Sequence, residues 1–351
     1  MERNVVMEIL RDACKAPSAD NIQPWRFVVE ANAIRVINAG DQTEEIFNYR
    51  QMVNHASLGA CIENLRVSAE NRGYEVDLKL FPDPHNKLVV ADVRLSSGTP
   101  NGNELASYIT SRATNRKPYL PKQIEPEKLI TLSSLETGPG QRIVFVSNKA
   151  EVKMIARIIS AGEKLVFENK AIHDFLFEHI TWTQAEDRKK HGFFIDTFEL
   201  APPQKAAFKF FSNWKVLRFF VPLGVANFIA NEVRKIHETS SVFGAIIISE
   251  KSPEDYLRAG ILFEKLWLTV TKLALALQPT TGLHFFAQPI LDNNRFGLPK
   301  SKVSFLSQRY EELKSAFGAN TKETIALAFR LGYGSTPSAT TTRFEPDVTW
   351  I

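Results

Sequence analysis

The apolar pattern of the chain opens on a helix. Val5, Val6, Ile9, Leu10 and Ala13 recur at helical spacing, and Phe27-Val28-Val29 followed by Ile34-Arg35-Val36-Ile37 predicts a short hairpin. Between them lies Ala16-Pro17-Ser18-Ala19-Asp20-Asn21-Ile22-Gln23-Pro24-Trp25-Arg26, a loop of turn formers, amide side chains and an aromatic. Pro17 and Pro24 fix its course, and its backbone N–H groups, consumed by no ladder, are free to face a flat ligand. A Pro-bounded connection held by its own Asn and Gln side chains is the purely structural alternative.

Further along, Leu58-Gly59-Ala60-Cys61-Ile62-Glu63-Asn64-Leu65 matches Ala259-Gly260-Ile261-Leu262-Phe263-Glu264-Lys265-Leu266, with Gly, Glu and Leu in register. Each stretch opens a long apolar helix. An extended run follows each (Val76–Phe81; Gly282–Ala287), and then a strand containing Arg-Leu, at Arg94-Leu95 and Arg330-Leu331. Thr137–Val146, a loop running into a strand, is a worn counterpart of Asn21–Val29. Chance similarity between two amphipathic helices is the alternative, but the repeated order of elements favours two copies of one helix-plus-sheet unit: about 1–105 and about 106–351. Residues about 165–240 have no partner in the first copy and are predicted to be an insertion. The expected class is α+β, a mixed sheet flanked by helices.

The insertion is crowded with Phe208, Phe210, Phe211, Trp214, Phe219, Phe220 and Phe228. Its longest uncharged run, Phe219 to Asn231, has 13 residues and contains Pro222 and Gly224. A membrane-spanning helix needs roughly 20 apolar residues, so no span is expected. Lys205, Lys209, Lys215 and Arg218 flank the aromatics, which leaves a surface-lying helix beside the favoured reading, a lid over a pocket.

Length and composition bound the rest. A chain of 351 residues that is 44% hydrophobic suggests about two domains with a substantial core, and a net charge of +4 with scattered Lys and Arg does not favour nucleic acid. Cys14 and Cys61 are the only cysteines, which argues for a reducing compartment and against a paired-cysteine metal or redox motif. Met1-Glu2-Arg3-Asn4 does not read as a secretion signal, and a cytoplasmic location is expected.

Three further stretches carry candidate chemistry. Ser111-Arg112-Ala113-Thr114-Asn115-Arg116-Lys117-Pro118-Tyr119 gathers guanidinium, hydroxyl and amide groups that suit a phosphate; a solvated basic loop is the alternative. Gln278-Pro279-Thr280-Thr281-Gly282-Leu283 is read at the end of the second long helix, with Gly282 allowing close approach of a planar ring. The tail runs from Arg330 through Gly332-Tyr333-Gly334-Ser335 to Thr340-Thr341-Thr342-Arg343. Dinucleotide-fold, phosphate-loop, serine-hydrolase and zinc-protease motifs are missing, and His173 and His179 lack a third ligand, so no metal is expected.

In this order and spacing the pieces resemble the nitroreductase family, and most of all its Acg-type subgroup, a tandem-fused pseudo-dimer with a helical lid. The resemblance implies FMN as cofactor. Its phosphate would meet Arg112, Thr114, Asn115, Arg116 and Arg343; the first loop would contribute Pro17, Ser18, Ala19 and Asn21; and Pro279, Thr280, Thr281 and Gly282 would face the flavin ring. Thr281 departs from the family, which has an acid there. Asn21, Gln23 and Arg26 are candidate donors to the pyrimidine end. No catalytic side chain is implied, since the flavin would carry hydride from NAD(P)H to a nitroaromatic or quinone. Two other roles stay open: an FMN-sequestering protein closed by its lid, and an apo-protein with a regulatory or structural role.

Overall fold

The computed structural model describes residues 2–42, 47–98 and 102–351; Met1, where the leader reading begins, lies outside them. The chain begins with α1 (Arg3–Ala13), β1 (Trp25–Glu30), β2 (Ala33–Asn38), α2 (Met52–Asn71), β3 (Tyr74–Leu80) and β4 (Val89–Ser97). It continues with α3 (Pro126–Ser133), β5 (Gln141–Val146), α4 (Lys149–Glu168), α5 (Lys170–Glu178), β6 (Ile180–Thr181), α6 (Gln184–Asp187) and β7 (Phe193–Phe194). The cover helices α7 (Pro202–Phe211), α8 (Trp214–Phe220) and α9 (Val225–His237) come next. The remainder is β8 (Val242–Ile248), α10 (Pro253–Lys272), β9 (Ala276–Pro279), α11 (Gly282–Leu291), α12 (Lys300–Ala316), β10 (Thr324–Gly332) and β11 (Val348–Trp350).

The class is α+β. Two sheets stand apart, one ordered β11-β1-β2-β4-β3 and the other β5-β8-β10-β9. Apart from β11 they run in the same order, every neighbouring pair is antiparallel, and each has a register shift in its middle pairing, β2 with β4 and β8 with β10. In each the long helix, α2 or α10, leaves the second strand and returns to the edge strand. The second sheet differs by two excursions: α4 to α9 between β5 and β8, and α11 with α12 between β9 and β10.

Burial explains why the two sheets read differently in sequence. The first packs one face on α1 and α2, so β1 and β3 alternate between inward and outward residues. The second is covered on both faces, by α10 on one side and by α4, α11 and α12 on the other, and β8 and β10 are buried at every position.

The two long helices cross at their glycines. A Cβ on Gly59 would lie 2.0 Å from the Leu257 carbonyl oxygen, and one on Gly260 would lie 2.0 Å from that of Ala56. Gly59 and Gly260 hold the same position in helices of 20 residues each, as do Ala56 and Leu257, so the contact is reciprocal in the way of a two-fold interface. Ser252 and Asp255 cap α10 reciprocally, with Pro253 in its first turn.

One sequence expectation changes. Gly282–Ala287 is not extended but begins α11; the extended run is Ala276–Pro279. Leu283 through Ile290 are buried all round the helix, so neither a two-residue nor a 3.6-residue period stands out. The Arg-Leu match holds in register: Leu95 pairs with Val76 as Leu331 pairs with Leu277, and Arg94 pairs with Asp77 as Arg330 pairs with Gln278. Arg94 is exposed and Arg330 buried at this shared position because only the second sheet is covered on both faces.

Gly260→Ala is expected to lower stability by about 2 kcal/mol or more, since the obstructing atom is backbone and the helices must part. Gly297→Ala, in open space, controls for backbone strain at its own site. Thermal melts of the two variants check the difference.

Candidate functional site

Three stretches distant in sequence meet in the seam between the sheets: the first loop, the Arg112–Lys117 segment and the C-terminal tail. The first loop is wound tightly, with Asp20, Asn21 and Gln23 all at left-handed φ (50°, 56° and 49°). Such conformations cost on the order of 1–3 kcal/mol each outside glycine and persist where surrounding contacts fix them. Here Ser18 Oγ accepts from Gln23 N at 3.0 Å, and Ser57 Oγ of α2 accepts from Ala19 N at 3.3 Å. The tail completes the hold. Asn21 and Gln23 side-chain amides donate to Thr342 O, Gln23 Oε1 accepts from Phe344 N, and Arg343 donates to Ala16 O, Asn21 Oδ1 and Thr341 Oγ1. Buried Asp187 fixes the same tail by accepting from Thr342 N and Oγ1. β11 then joins the first sheet beside β1.

The arginines expected to share one phosphate fall into two groups. Arg112 and Arg343 belong to the α2–α10 seam. Arg112 lies 3.0 Å from Glu264 of α10, donates to Lys15 O at 2.7 Å and stacks over Trp267. With its amide nitrogen toward Glu264, Asn64 donates to Glu264 Oε1 at 3.0 Å and accepts from Ala16 N at 3.1 Å. Burial pushes Glu264 up to about 7 against the pull of Arg112, and burial with the nearby Arg112 charge pulls Arg343 down to about 9.

Arg116 lies elsewhere. Burial first and the Arg330 charge second pull it down to about 10, while Glu199, Glu163 and Asp20 work the other way. Burial pushes Asp20 up to about 6 against His179 and Arg116, and raises Glu163 against Arg116. All three side chains are deep enough to pay desolvation, yet none is closed to solvent. We infer from that combination that the three line one partly open recess. Gly282, the first residue of α11, adjoins it: a Cβ there would meet nothing nearer than Glu163 Oε1 at 3.8 Å. Thr280 Oγ1, just before, is buried without a hydrogen-bond partner. On the cover side, Arg116 stacks on Phe193 and Phe198 and donates to Thr197 O at 3.2 Å.

Of the other expected residues, Asn115 is structural, bonding Ser335 O and Lys117 N, and Thr114 bridges Leu277 at the edge of β9. Pro17 lies at the start of the wound loop. Arg26 stands apart in a half-exposed pair with Asp347. Pro279, Thr280, Thr281 and Gly282 form a strand-to-helix junction; α10 had ended at Lys272.

Sequence reasoning missed Asp20, Glu163, Arg330 and Asp187. Arg330 was detectable as a lone cation in an apolar strand: fully buried, it donates to Gln278 Oε1, Asn115 O, Lys117 O and Ile236 O, fixing the Arg116 loop against β9. Glu163 and Asp187 sit in the excursion, where spacing carries no such signal. Two cavities of about 400 Å³ lie farther out, lined by Phe194, Asp196, Glu199 and Ser338 among others, between cover and tail.

Glu264 makes stability depend on pH. Its folded value lies above the ordinary 4.5, so the native state holds the extra proton between pH 4.5 and about 7. Its stabilising contribution is full below that window and is lost as pH rises through it, by at most about 3 kcal/mol. Glu264→Gln, which cannot titrate, should flatten this part of the profile relative to the parent, as denaturant midpoints across pH 4.5–8 would show.

No family model matches the chain. Over 339 residues, 95% of its length, it is 18% identical to an uncharacterised Mycobacterium tuberculosis protein, of which the match covers 46%. Over 119 residues, 33% of its length, it is 27% identical to a Mycobacterium tuberculosis protein provisionally named NAD(P)H nitroreductase acg, covering 36% of that protein. The chain thus spans less than half the length of these curated relatives. Among solved structures it is similar to an FMN-bound nitroreductase from Bacteroides fragilis (TM-score 0.38, 12% identity, 69% of this chain and 94% of that one). It is likewise similar to an FMN-dependent nitroreductase from Mycobacterium smegmatis in complex with NADPH (TM-score 0.34, 12% identity, 69% and 98%).

Proposed function

We propose that the chain is an FMN-dependent oxidoreductase of nitroreductase type, two fused copies of one unit (about 1–105 and 106–351) enclosing one flavin site under an inserted cover. The observation that carries this reading is the partly buried grouping of Asp20 of the first loop, Arg116 and Glu163 within one another's electrostatic reach, with Gly282 beside Glu163. Each was separate in sequence, and the three stretches the family resemblance singled out supply three of the four.

The recess fits such a group in its donors. Arg116 offers a guanidinium to a phosphate, Thr280 a free hydroxyl, and the first turn of α11 backbone N–H groups without helical partners. Arg112 and Arg343 are already engaged, Arg112 with Glu264 and Lys15 O and Arg343 with Ala16 O, Asn21 Oδ1 and Thr341 Oγ1; they brace the loop that faces the ring. When bound, FMN supplies the redox chemistry, taking hydride from NAD(P)H and passing it to a nitroaromatic or quinone. Asp20, titrating near 6, can hold a proton at the recess wall. Glu163 stands beside Gly282, where the neighbouring Thr281 offers no acid.

A second reading, storage of FMN without turnover, draws support from Phe193, Thr197 and Phe198, which close over Arg116 from the cover.

Protein purified from cells should be yellow and lose FMN on dilution roughly tenfold more readily as Arg116→Ala than as Lys117→Ala, since Lys117 is engaged by Thr336 O and Glu199. Equal retention removes Arg116 from the site. Steady-state NADPH oxidation with a nitroaromatic then separates enzyme from store: retained flavin that stays oxidised under NADPH supports the store.

A further inference from the structure

The cover carries an apolar surface that neither the recess nor the core uses. α8 and α9 meet at 88°, across a turn where Gly224 takes a φ of 89° in open space. Around this elbow Phe219 is 69% exposed, Leu223 80% and Phe228 65%, with Phe210 and Phe220 exposed beside them. The rings of Phe210 and Phe220 are in edge contact at 6.1 Å, so part of the patch is continuous. The helices are not loose. Leu217 and Ala226 are fully buried, and Trp214, Val221, Val225 and Ile229 pack on the core from the same segments. An anchored elbow that still presents this much Phe and Leu to water is unlike scattered surface hydrophobics.

Charge selects the occupant. From α7 to α9 the segment carries six Lys and Arg; Lys205, Arg234 and Lys235 pair with Asp196, Glu238 and Glu232, which leaves Lys209, Lys215 and Arg218 near the elbow. Lys215 and Arg218 form no ion pair among the described residues, and Arg218 lies 5.4 Å from the Phe219 ring centre. A second copy of the same patch would set cation against cation, whereas an anionic lipid surface neutralises the basic groups as the aromatics enter the acyl boundary. Among the described residues no single helix is long and apolar enough to span, and the α8–α9 pair, which together has the length, is bent by 88°. The 7 and 13 residues of α8 and α9 reach about 10 and 20 Å, each short of the ~30 Å hydrocarbon core.

We propose that the α8–α9 elbow docks the protein on an anionic membrane surface, with Phe219, Leu223 and Phe228 inserted at headgroup depth and Lys215 and Arg218 at the phosphates. The proposal stands independently of the flavin reading, since docking is read with or without bound FMN.

The test is sedimentation of the full chain with phosphatidylcholine vesicles and with vesicles that also contain phosphatidylserine. Binding should favour the latter and weaken in high salt. Phe219→Ser with Leu223→Ser, and separately Lys215→Glu with Arg218→Glu, should each reduce partitioning roughly tenfold or more, with unchanged melting temperature because the sites are exposed. Leu223→Trp should show a blue-shifted emission on phosphatidylserine vesicles only. Parent protein that stays in the supernatant with anionic vesicles overturns the proposal. So does undiminished binding by the double serine variant, or a solution dimer that the same variant dissolves, which would make a second copy the occupant.

Discussion

The crossing of α2 and α10 through Gly59 and Gly260 is the contact on which the arrangement rests. Because each glycine faces a carbonyl of the other helix at a distance no Cβ permits, the helices approach backbone to backbone and the two sheets are held on opposite sides of one seam. The same helices carry the handles for the site. Ser57, two residues before Gly59, accepts from the first loop at Ala19 N; Glu264, four residues after Gly260, pairs with Arg112. A shift in the crossing would therefore disturb both the first loop and the Arg112 segment.

The tail gives this seam its second constraint. From Gly332 it passes Asn115 and Lys117, then Glu199 and Asp187 of the excursion, then Asn21 and Gln23, and ends as β11 in the first sheet. One strand of chain thus ties together the three regions that surround Asp20 and Arg116. The left-handed residues of the first loop are tolerable because their side chains are spent on this strap: the amide of Asn21 bonds Thr342 O, and both ends of the Gln23 amide are engaged.

What the sequence disclosed follows from where burial is one-sided. The first sheet alternates, so its helix, hairpin and strands are readable by period, and the Gly-Glu-Leu match between α2 and α10 corresponds to a true structural equivalence of position. In the second sheet both faces are covered, and period fails: α11, buried all round, was read as extended. The site was legible in its loops, where Pro, Asn and Gln leave a compositional trace. It was not legible in Glu163 and Asp187, acids from a helical excursion whose surroundings mix charge and Phe. Nor could spacing distinguish Arg112 from Arg116, four residues apart but serving different neighbours.

That division between the arginines decides how the interior is balanced. Arg112 has Glu264 at 3.0 Å and a backbone carbonyl besides, and Arg343 is ringed by acceptors; adding an anion there would displace bonds already made. Arg116 has one carbonyl, two aromatic faces and carboxyls that burial pushes toward their neutral forms. Arg116 has no carboxylate at ion-pair distance among the described residues, which leaves it under-compensated, with Arg330 adding to the deficit. An incoming anion at Arg116 replaces poor partners rather than good ones, and it would favour the protonated forms of Asp20 and Glu163 by like-charge repulsion. The electrostatic vacancy of the seam is therefore at Arg116, on the side that faces Gly282 and the cover, and not at the pair of arginines that closes the two halves together.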